Sequence, residues 1–241
     1  MQVVDQFKKI YPKYKNKKIA YAGRLDPLAH GVLLLLVEPE TKNAKKYQNL
    51  DKEYKFEVLL GVETDSFDIL GRLKNRGTKE PRNIGVRELR GFAKGYVGHF
   101  SQLYPPFSSK TVKGKPLFWW AREGKLKDIK LPSKKVEIYD LKLIKTYKID
   151  VNSLSNQVTK KLKTIKGNFR QKKIMKDWKN FFKTTKQNEF QIAKFNIHCS
   201  SGTYVRQIAH EMGQKIGIGA IAFDILRTRV GEYKLEKSLR L

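Results

Sequence analysis

Apolar residues along this chain recur with two periods, and the switches between them outline its elements. Val3, Val4, Phe7 and Ile10 fall on one helical face across residues 1–10, and Pro12 closes that stretch. A nearly unbroken apolar run, Val32 to Val37, predicts a buried strand or helix. A short amphipathic helix is predicted over 40–50, with Thr41 as its cap. From Asp51 to Gly61 the period becomes two: Tyr54, Phe56 and Val58 alternate with charged residues, the pattern of a half-buried strand. Helical spacing returns at Val86, Leu89, Phe92 and Ala93 and stops near Gly95. Val136, Ile138, Leu141, Leu143 and Tyr147 mark a strand over 135–149, and 190–199 reads as its partner. Between these two strands, Val158, Leu162, Ile165 and Phe169 share one helical face, and Ile174, Trp178 and Phe181 share a second. A last helix starts near Tyr204, after a Gly202–Thr203 turn. The expected class is α/β (α+β): a single domain over 1–241 with a large mixed or antiparallel sheet flanked by helices, and a helical segment over 150–189.

Charge narrows the function. The formal net charge is +28, from 51 Lys and Arg against 23 Asp and Glu in 241 residues. Residues 151–189 alone hold eleven basic and two acidic side chains. Such an excess is out of proportion for a small-metabolite enzyme and points to a polyanion. An anionic membrane surface or plain solubility are the competing explanations. Aromatic residues interleaved with the basic ones favour nucleic acid. A disordered basic arm that folds on RNA is the alternative to helices at 150–189. The single cysteine, Cys199, excludes an intrachain disulfide and a cysteine-based metal cluster. No signal peptide is legible, and Val32–Val37 is too short to span a membrane. The expectation is a cytoplasmic monomer without membrane association.

The densest chemistry lies in Tyr21-Ala22-Gly23-Arg24-Leu25-Asp26-Pro27-Leu28-Ala29-His30-Gly31. Pro27 pushes Asp26 out of the α region and Gly23 permits a turn, so a lone carboxylate sits on stiff backbone ahead of a buried element. An Asx-turn before a core element is the plainer reading of that spacing. The segment resembles the active-site motif of the TruB family of tRNA pseudouridine synthases, roughly Gly-(Thr/Arg)-Leu-Asp-Pro-x-Ala-x-Gly-x-Leu, with Asp26 at the family's essential aspartate. Further stretches resemble the family in the same order. Gly61 to Gly71 is similar to its Leu-Gly-x-x-Thr-Asp-(Thr/Ser)-x-Asp-x-x-Gly segment. Phe100 to Gly124 is similar to its double-proline loop and the Val-x-Gly-x-x-Leu segment after it. His198 to Ala209 is similar to its Cys-(Ser/Gly)-x-Gly-Thr-Tyr-(Ile/Val)-Arg segment, and Gly217 to Gly231 follows its closing pattern. The likeness covers about 1–149 and 190–231.

That resemblance implies the pseudouridine synthase fold and a cofactor-free, metal-free isomerisation of the T-loop uridine at tRNA position 55. It assigns Asp26 to catalysis, Arg206 as its paired arginine, and Tyr54 as the tyrosine that packs on the base and shuttles a proton. Tyr21 and Leu226 match its nucleotide-contact positions, Leu226 as an apolar wall of the pocket, and Arg24, Lys110, Lys113 and Arg227 are further candidates for RNA or nucleotide binding. A guanidinium alongside favours an ionised carboxylate. Asp26 then acts either covalently or as the base at ribose C2′. The implied partner is the tRNA T stem-loop, whose target nucleotide has to be flipped out.

The chain also departs from the family. Tyr21 stands where histidine is common, which keeps a stacking face without the imidazole. The family lysine after the double proline falls at Thr111, one residue beyond Lys110. The family's opening strand and Lys-Pro turn are not legible ahead of the 1–10 helix, and a chain without a PUA-type domain is expected. The 150–189 segment replaces a short turn, and its basic faces are candidates for extra tRNA contact. These departures motivate the alternative, a tRNA-binding or tRNA-folding protein with little turnover. Asp65 and Asp68 are read as a solvated Asx/ST loop, not a metal pair, because no third ligand is spaced nearby. His198 and Cys199 point to opposite strand faces, which argues against a catalytic dyad.

Overall fold

The computed structural model describes residues 2–74 and 83–240. The chain runs through α1 (Gln2–Ile10), β1 (Ile19–Ala22), β2 (Ala29–Gly31), β3 (Leu34–Val37), α2 (Ala44–Gln48) and β4 (Lys52–Leu60). It continues through α3 (Val86–Lys94), β5 (Gly98–Leu103), the short hairpin β6 (Thr111–Val112) and β7 (Lys115–Pro116), and α4 (Leu117–Arg122). Then come β8 (Ser133–Asp150), α5 (Val151–Thr164), α6 (Gln171–Thr184) and β9 (Glu189–Cys199). The last elements are α7 (Val205–Ile216), β10 (Ala220–Val230) and β11 (Tyr233–Lys234).

A seven-stranded sheet in the order β11-β10-β4-β9-β8-β5 forms the body, with β2 joined to β10. The β2–β10 pairing is parallel and the others are antiparallel, so the sheet is mixed. β1 and β3 form a separate antiparallel ribbon. Adjacent residues of a strand point to opposite faces, and β4 uses both: Phe56, Val58 and Leu60 enter one core, and Leu59 the other. The first core packs Leu89 and Phe92 of α3 and Ile208 and Met212 of α7 on the sheet. The second packs Leu154, Val158 and Leu162 of α5 and Ile174 and Trp178 of α6 on the opposite face. β4 is therefore more buried than its alternation predicts, because the α5–α6 pair covers the side a half-buried strand would leave to water.

The α5–α6 pair grows from the end of the long β8–β9 hairpin, where Asp150 faces Glu189. Asp150 caps α5, its carboxylate accepting from the Ser153 amide at 2.9 Å. α5 stops at Thr164, so Leu154 completes its buried face, while Ile165 and Phe169 lie beyond its end. On α6, Trp178 donates from Nε1 to the Ile69 carbonyl at 3.0 Å. Arg72 forks onto Asp177 at 2.8 and 3.3 Å.

The predicted 40–50 helix is split. Residues Glu40–Asn43 form a 3-10 turn ahead of α2, and Thr41 makes no side-chain cap hydrogen bond. The Glu40 carboxylate organises the turn instead, accepting from Tyr47 at 2.8 Å and Asn43 at 3.2 Å. No helix among the described residues is long and apolar enough to cross a membrane.

Trp178→Ala is expected to destabilise the whole domain by about 3–5 kcal/mol, because it opens a cavity and orphans a buried carbonyl. Urea denaturation followed by far-UV circular dichroism checks this. A separate early transition confined to α5–α6 would show that the pair is not part of the common core.

Candidate active site

Asp26 lies in the irregular stretch between β1 and β2, where its carbonyl accepts from the Ala29 amide at 2.9 Å. Two elements far along the chain hold this stretch. Gly31 has φ +103°, and a Cβ there would sit 2.2 Å from the Arg227 carbonyl oxygen, so only glycine lets β2 lie against β10. The Arg227 side chain, almost fully buried, donates from Nε to the Val32 carbonyl at 2.6 Å. It also reaches the Gly23 and Arg24 carbonyls at 3.4 and 3.5 Å.

The Asp26 carboxylate meets Arg206, from the first turn of α7, in a fork: Nε donates to Oδ2 at 2.8 Å and Nη2 to Oδ1 at 3.3 Å. Their side chains are 29% and 3% exposed, so the arginine is sunk and the carboxylate keeps an open edge. Arg206 uses its remaining reach on backbone, donating to the Ser66 carbonyl at 2.9 Å and the Phe107 carbonyl at 3.2 Å. Burial opposes the Arg206 charge, but Asp26 and Asp68 outweigh it, and its pKa lies above the ordinary value.

Asp68 is buried, not solvated as the sequence pattern suggested, and burial pushes its carboxyl up to about 6 against the pull of Arg206. It accepts from Ser66 Oγ at 2.5 Å and from the Leu70 amide at 2.9 Å, which is an Asx turn. Asp65 is occupied by the Arg170 fork and by the Arg72 amide at 2.8 Å. Phe67, between them, has φ +68°, a left-handed conformation rare for an aromatic residue. Its ring stacks on His210 of α7 with centroids 3.7 Å apart. Burial first, and the Lys74 charge second, push the His210 imidazole down to about 4.

Around the Asp26–Arg206 pair opens a cavity of about 1050 Å³ whose wall includes Tyr21, Arg24, Tyr54, Tyr104 and Phe107. Tyr54 faces Arg227 in the β4–β10 register. Burial raises its hydroxyl pKa well above the ordinary range, so the phenol stays protonated. Lys52, two residues earlier on the same strand face, also lines the cavity. Burial pushes it down to about 8, and it donates to the Leu50 carbonyl and, at 2.6 Å, to the Gln48 carbonyl.

A family profile described as TruB family pseudouridylate synthase (N terminal domain) matches residues 8–167. The chain belongs to the TruB family. The tRNA pseudouridine synthase B of Thermotoga maritima is 30% identical over 239 residues, which is 99% of this chain and 61% of that protein. The tRNA pseudouridine synthase B of Syntrophus aciditrophicus is 31% identical over 240 residues, which is 100% of this chain and 61% of that protein. The chain thus spans 61% of the length of these curated relatives. Among solved structures, a Cbf5–Nop10–Gar1 complex superposes with a TM-score of 0.56 at 18% identity, over 96% of this chain and 45% of that one. An H/ACA RNP bound to a substrate RNA containing 2′-deoxyuridine gives 0.53 at 17%, over 97% and 44%. At such identities the likeness establishes the fold, a mixed α/β architecture on a large mixed sheet.

Of the TruB-like positions, Asp26, Arg206, Tyr54, Tyr21, Arg24 and Arg227 meet at one cavity. Leu226 does not: Ile225 and Arg227 line the cavity, and strand period two turns the residue between them to the other face. The Arg227 guanidinium lies on loop carbonyls, which makes it a brace for the Asp26 stretch and not a free phosphate ligand. Lys110 and Lys113 lie outside the cavity wall: Lys110 Nζ is 5.5 Å from the Tyr104 ring centroid, and Lys113 Nζ reaches the Asp128 carbonyl at 3.4 Å. Lys52 and the Asn168–Arg170 turn were missed. The Lys-x-Tyr spacing signals the first, since i and i+2 share a strand face; nothing local signals the second.

Acid should loosen α7 from the loop it carries. The folded state holds His210 neutral down to about pH 4, while the unfolded chain protonates it below about 6.5. Stability present above pH 6.5 is therefore lost as pH falls toward 4, by roughly 3 kcal/mol at most. Glu63, whose carboxylate lies 3.8 Å from Nδ1, faces the ring and limits the loss. Asp68, with a raised pKa, works in the opposite sense, so the measure is a difference: between pH 7 and pH 4.5, His210→Phe should lose less stability than the parent. Equal losses in denaturant titrations would exclude His210 as the source.

Proposed function

We propose that the protein isomerises the T-loop uridine at position 55 of tRNA to pseudouridine, with Asp26 as the catalytic carboxylate. The observation that carries this reading is the Asp26–Arg206 fork, with one partner sunk and the other open to a cavity large enough for a flipped nucleotide. In the reaction the N1–C1′ bond breaks, the uracil turns, and a C5–C1′ bond forms. The C5 proton leaves and N1 ends as N–H, so uridine and pseudouridine balance without a redox partner. The reaction needs a carboxylate held in one place against sugar and base, and the guanidinium fixes both of its oxygens, at 2.8 and 3.3 Å. Asp26 acts either as nucleophile at the sugar or as base at C2′; the two routes need the same placement.

The other residues fall into supporting roles. Tyr54, kept protonated by burial, packs on the base and relays a proton. Tyr21 offers a stacking face, with the Arg24 guanidinium 5.7 Å from its ring centroid. A uridine inside a folded loop reaches Asp26 only when extruded, and stacking offsets part of that cost. The net charge of +28 supplies the salt-dependent hold on the RNA backbone.

Asp26→Asn should lose at least about 10³-fold in single-turnover rate on a T-stem-loop transcript. Its RNA affinity should stay within about 3-fold. Arg206→Lys, which cannot fork, should lose about 100-fold. Carbodiimide labelling of pseudouridine gives the rates and filter binding the affinities. Turnover by Asp26→Asn would falsify the role of the carboxylate. Tight binding without label in the parent protein would make the chain a tRNA-binding relative of the same fold.

A further inference from the structure

The turn joining α5 to α6 is built more tightly than a connection between two helices requires. Gly167 has φ +100° and Arg170 φ +65°, both left-handed. The Gln171 side chain staples the turn, donating to the Gly167 carbonyl at 2.6 Å and the Ile165 carbonyl at 3.3 Å and accepting from the Phe169 amide at 2.8 Å. Outside contacts fix it in place. Arg170 forks onto Asp65 at 2.8 and 3.1 Å, and its guanidinium lies 4.3 Å from the Phe107 ring centroid. Arg122 of α4 donates to the Asn168 carbonyl at 2.8 Å. A left-handed arginine costs on the order of 1 kcal/mol and persists where surroundings over-determine it, which makes such sites functional candidates.

This turn lies at the cavity: Asn168, Phe169 and Arg170 form part of its wall, and no residue of α5 or α6 themselves lines it. Asp65 takes two of the five N–H donors of Arg170, which leaves three. Lys166, Lys172 and Lys173 flank the turn and are exposed. Asp177, the acid within α6, is already engaged by Arg72.

We propose that the Asn168–Arg170 turn is a substrate-contacting wall of the active site. Phe169 stacks on a base next to the target nucleotide, Arg170 directs its remaining donors to the RNA backbone, and the flanking lysines neutralise adjoining phosphates. The α5–α6 pair is then a second RNA grip that starts at the reacting centre. Gln171 is a positioning residue. The inference rests on the proposed uridine isomerisation and deepens it by naming what holds the flanking nucleotides.

The test uses the full chain and T-stem-loop RNA. Phe169→Ala should raise KM about 10-fold and leave kcat within about 2-fold, in keeping with the loss of one base–aromatic stack. Replacing the flanking nucleotides one at a time by abasic residues should erase that difference at one position, a response that a merely structural phenylalanine would not give. Lys172→Gln with Lys173→Gln should keep the thermal midpoint and lower the salt slope of binding by about 1–2. Binding slopes are measured in the Asp26→Asn background, so they do not depend on turnover. Folded variants with the parent's KM, abasic response and salt slope would overturn the wall while leaving the isomerase reading standing. A parent protein that neither labels nor binds the RNA would remove both.

Discussion

A guanidinium that is 3% exposed has to find partners for its donors inside the protein, because a buried unpaired charge costs several kcal/mol. Arg206 finds them on three separate segments: the Asp26 carboxylate, the Ser66 carbonyl and the Phe107 carbonyl. None of these segments is regular structure where it meets the arginine. Their mutual placement is set by a single planar fork whose geometry leaves little freedom. The cavity exists because the three loops are held apart at fixed distances around that fork. Its open carboxylate edge is the one Arg206 leaves uncovered, the arginine being sunk on the first turn of a helix packed against the sheet.

The sheet supplies the depth. β10 and β4 bring Arg227 opposite Tyr54, and β2 lies parallel to β10 with Gly31 opposite Arg227. The strand that walls the cavity is thus the strand that braces the Asp26 stretch. On its far face, β4 and β10 contribute Leu59, Ile221 and Phe223 to the core shared with α5 and α6. The Asp26 cavity and the bodies of α5 and α6 lie on opposite faces of the same strands. Distortion of one face is transmitted to the other through packed side chains.

Regular elements were legible where periodicity was strong. The 135–149 and 190–199 strands and the two helices between them stand where alternation and helical spacing put them, within a few residues. The failures share a cause. Thr41 reads locally as a cap, yet Glu40 organises the turn through Tyr47, seven residues on. β4 reads as half-buried because its second cover comes from residues a hundred positions later. Asp68 reads as solvated for the same reason. The pairing of Asp26 with Arg206 spans 180 residues, and no spacing rule contains it; it was legible through resemblance alone. Leu226 shows the limit of that route, since a motif names a neighbourhood and only strand phase decides between adjacent side chains. The stapled turn at 167–171 was invisible because its meaning lies in Asp65, Phe107 and Arg122, none of them near it in sequence.

The exposed lysines of α5 and α6 have one more consequence. Eight lysines and a single acid, Asp177, sit on two helices of only fourteen residues each, and Lys166, Arg170 and Lys186 adjoin them. Like charges at such density repel, and the apolar seam beneath holds the helices down against that repulsion. Ionic strength therefore acts on this molecule in two opposing directions. Added salt quiets the internal repulsion and firms the helices, while it weakens the polyanion contact proposed for them. The conditions that favour the folded pair are those that disfavour the contact proposed for it.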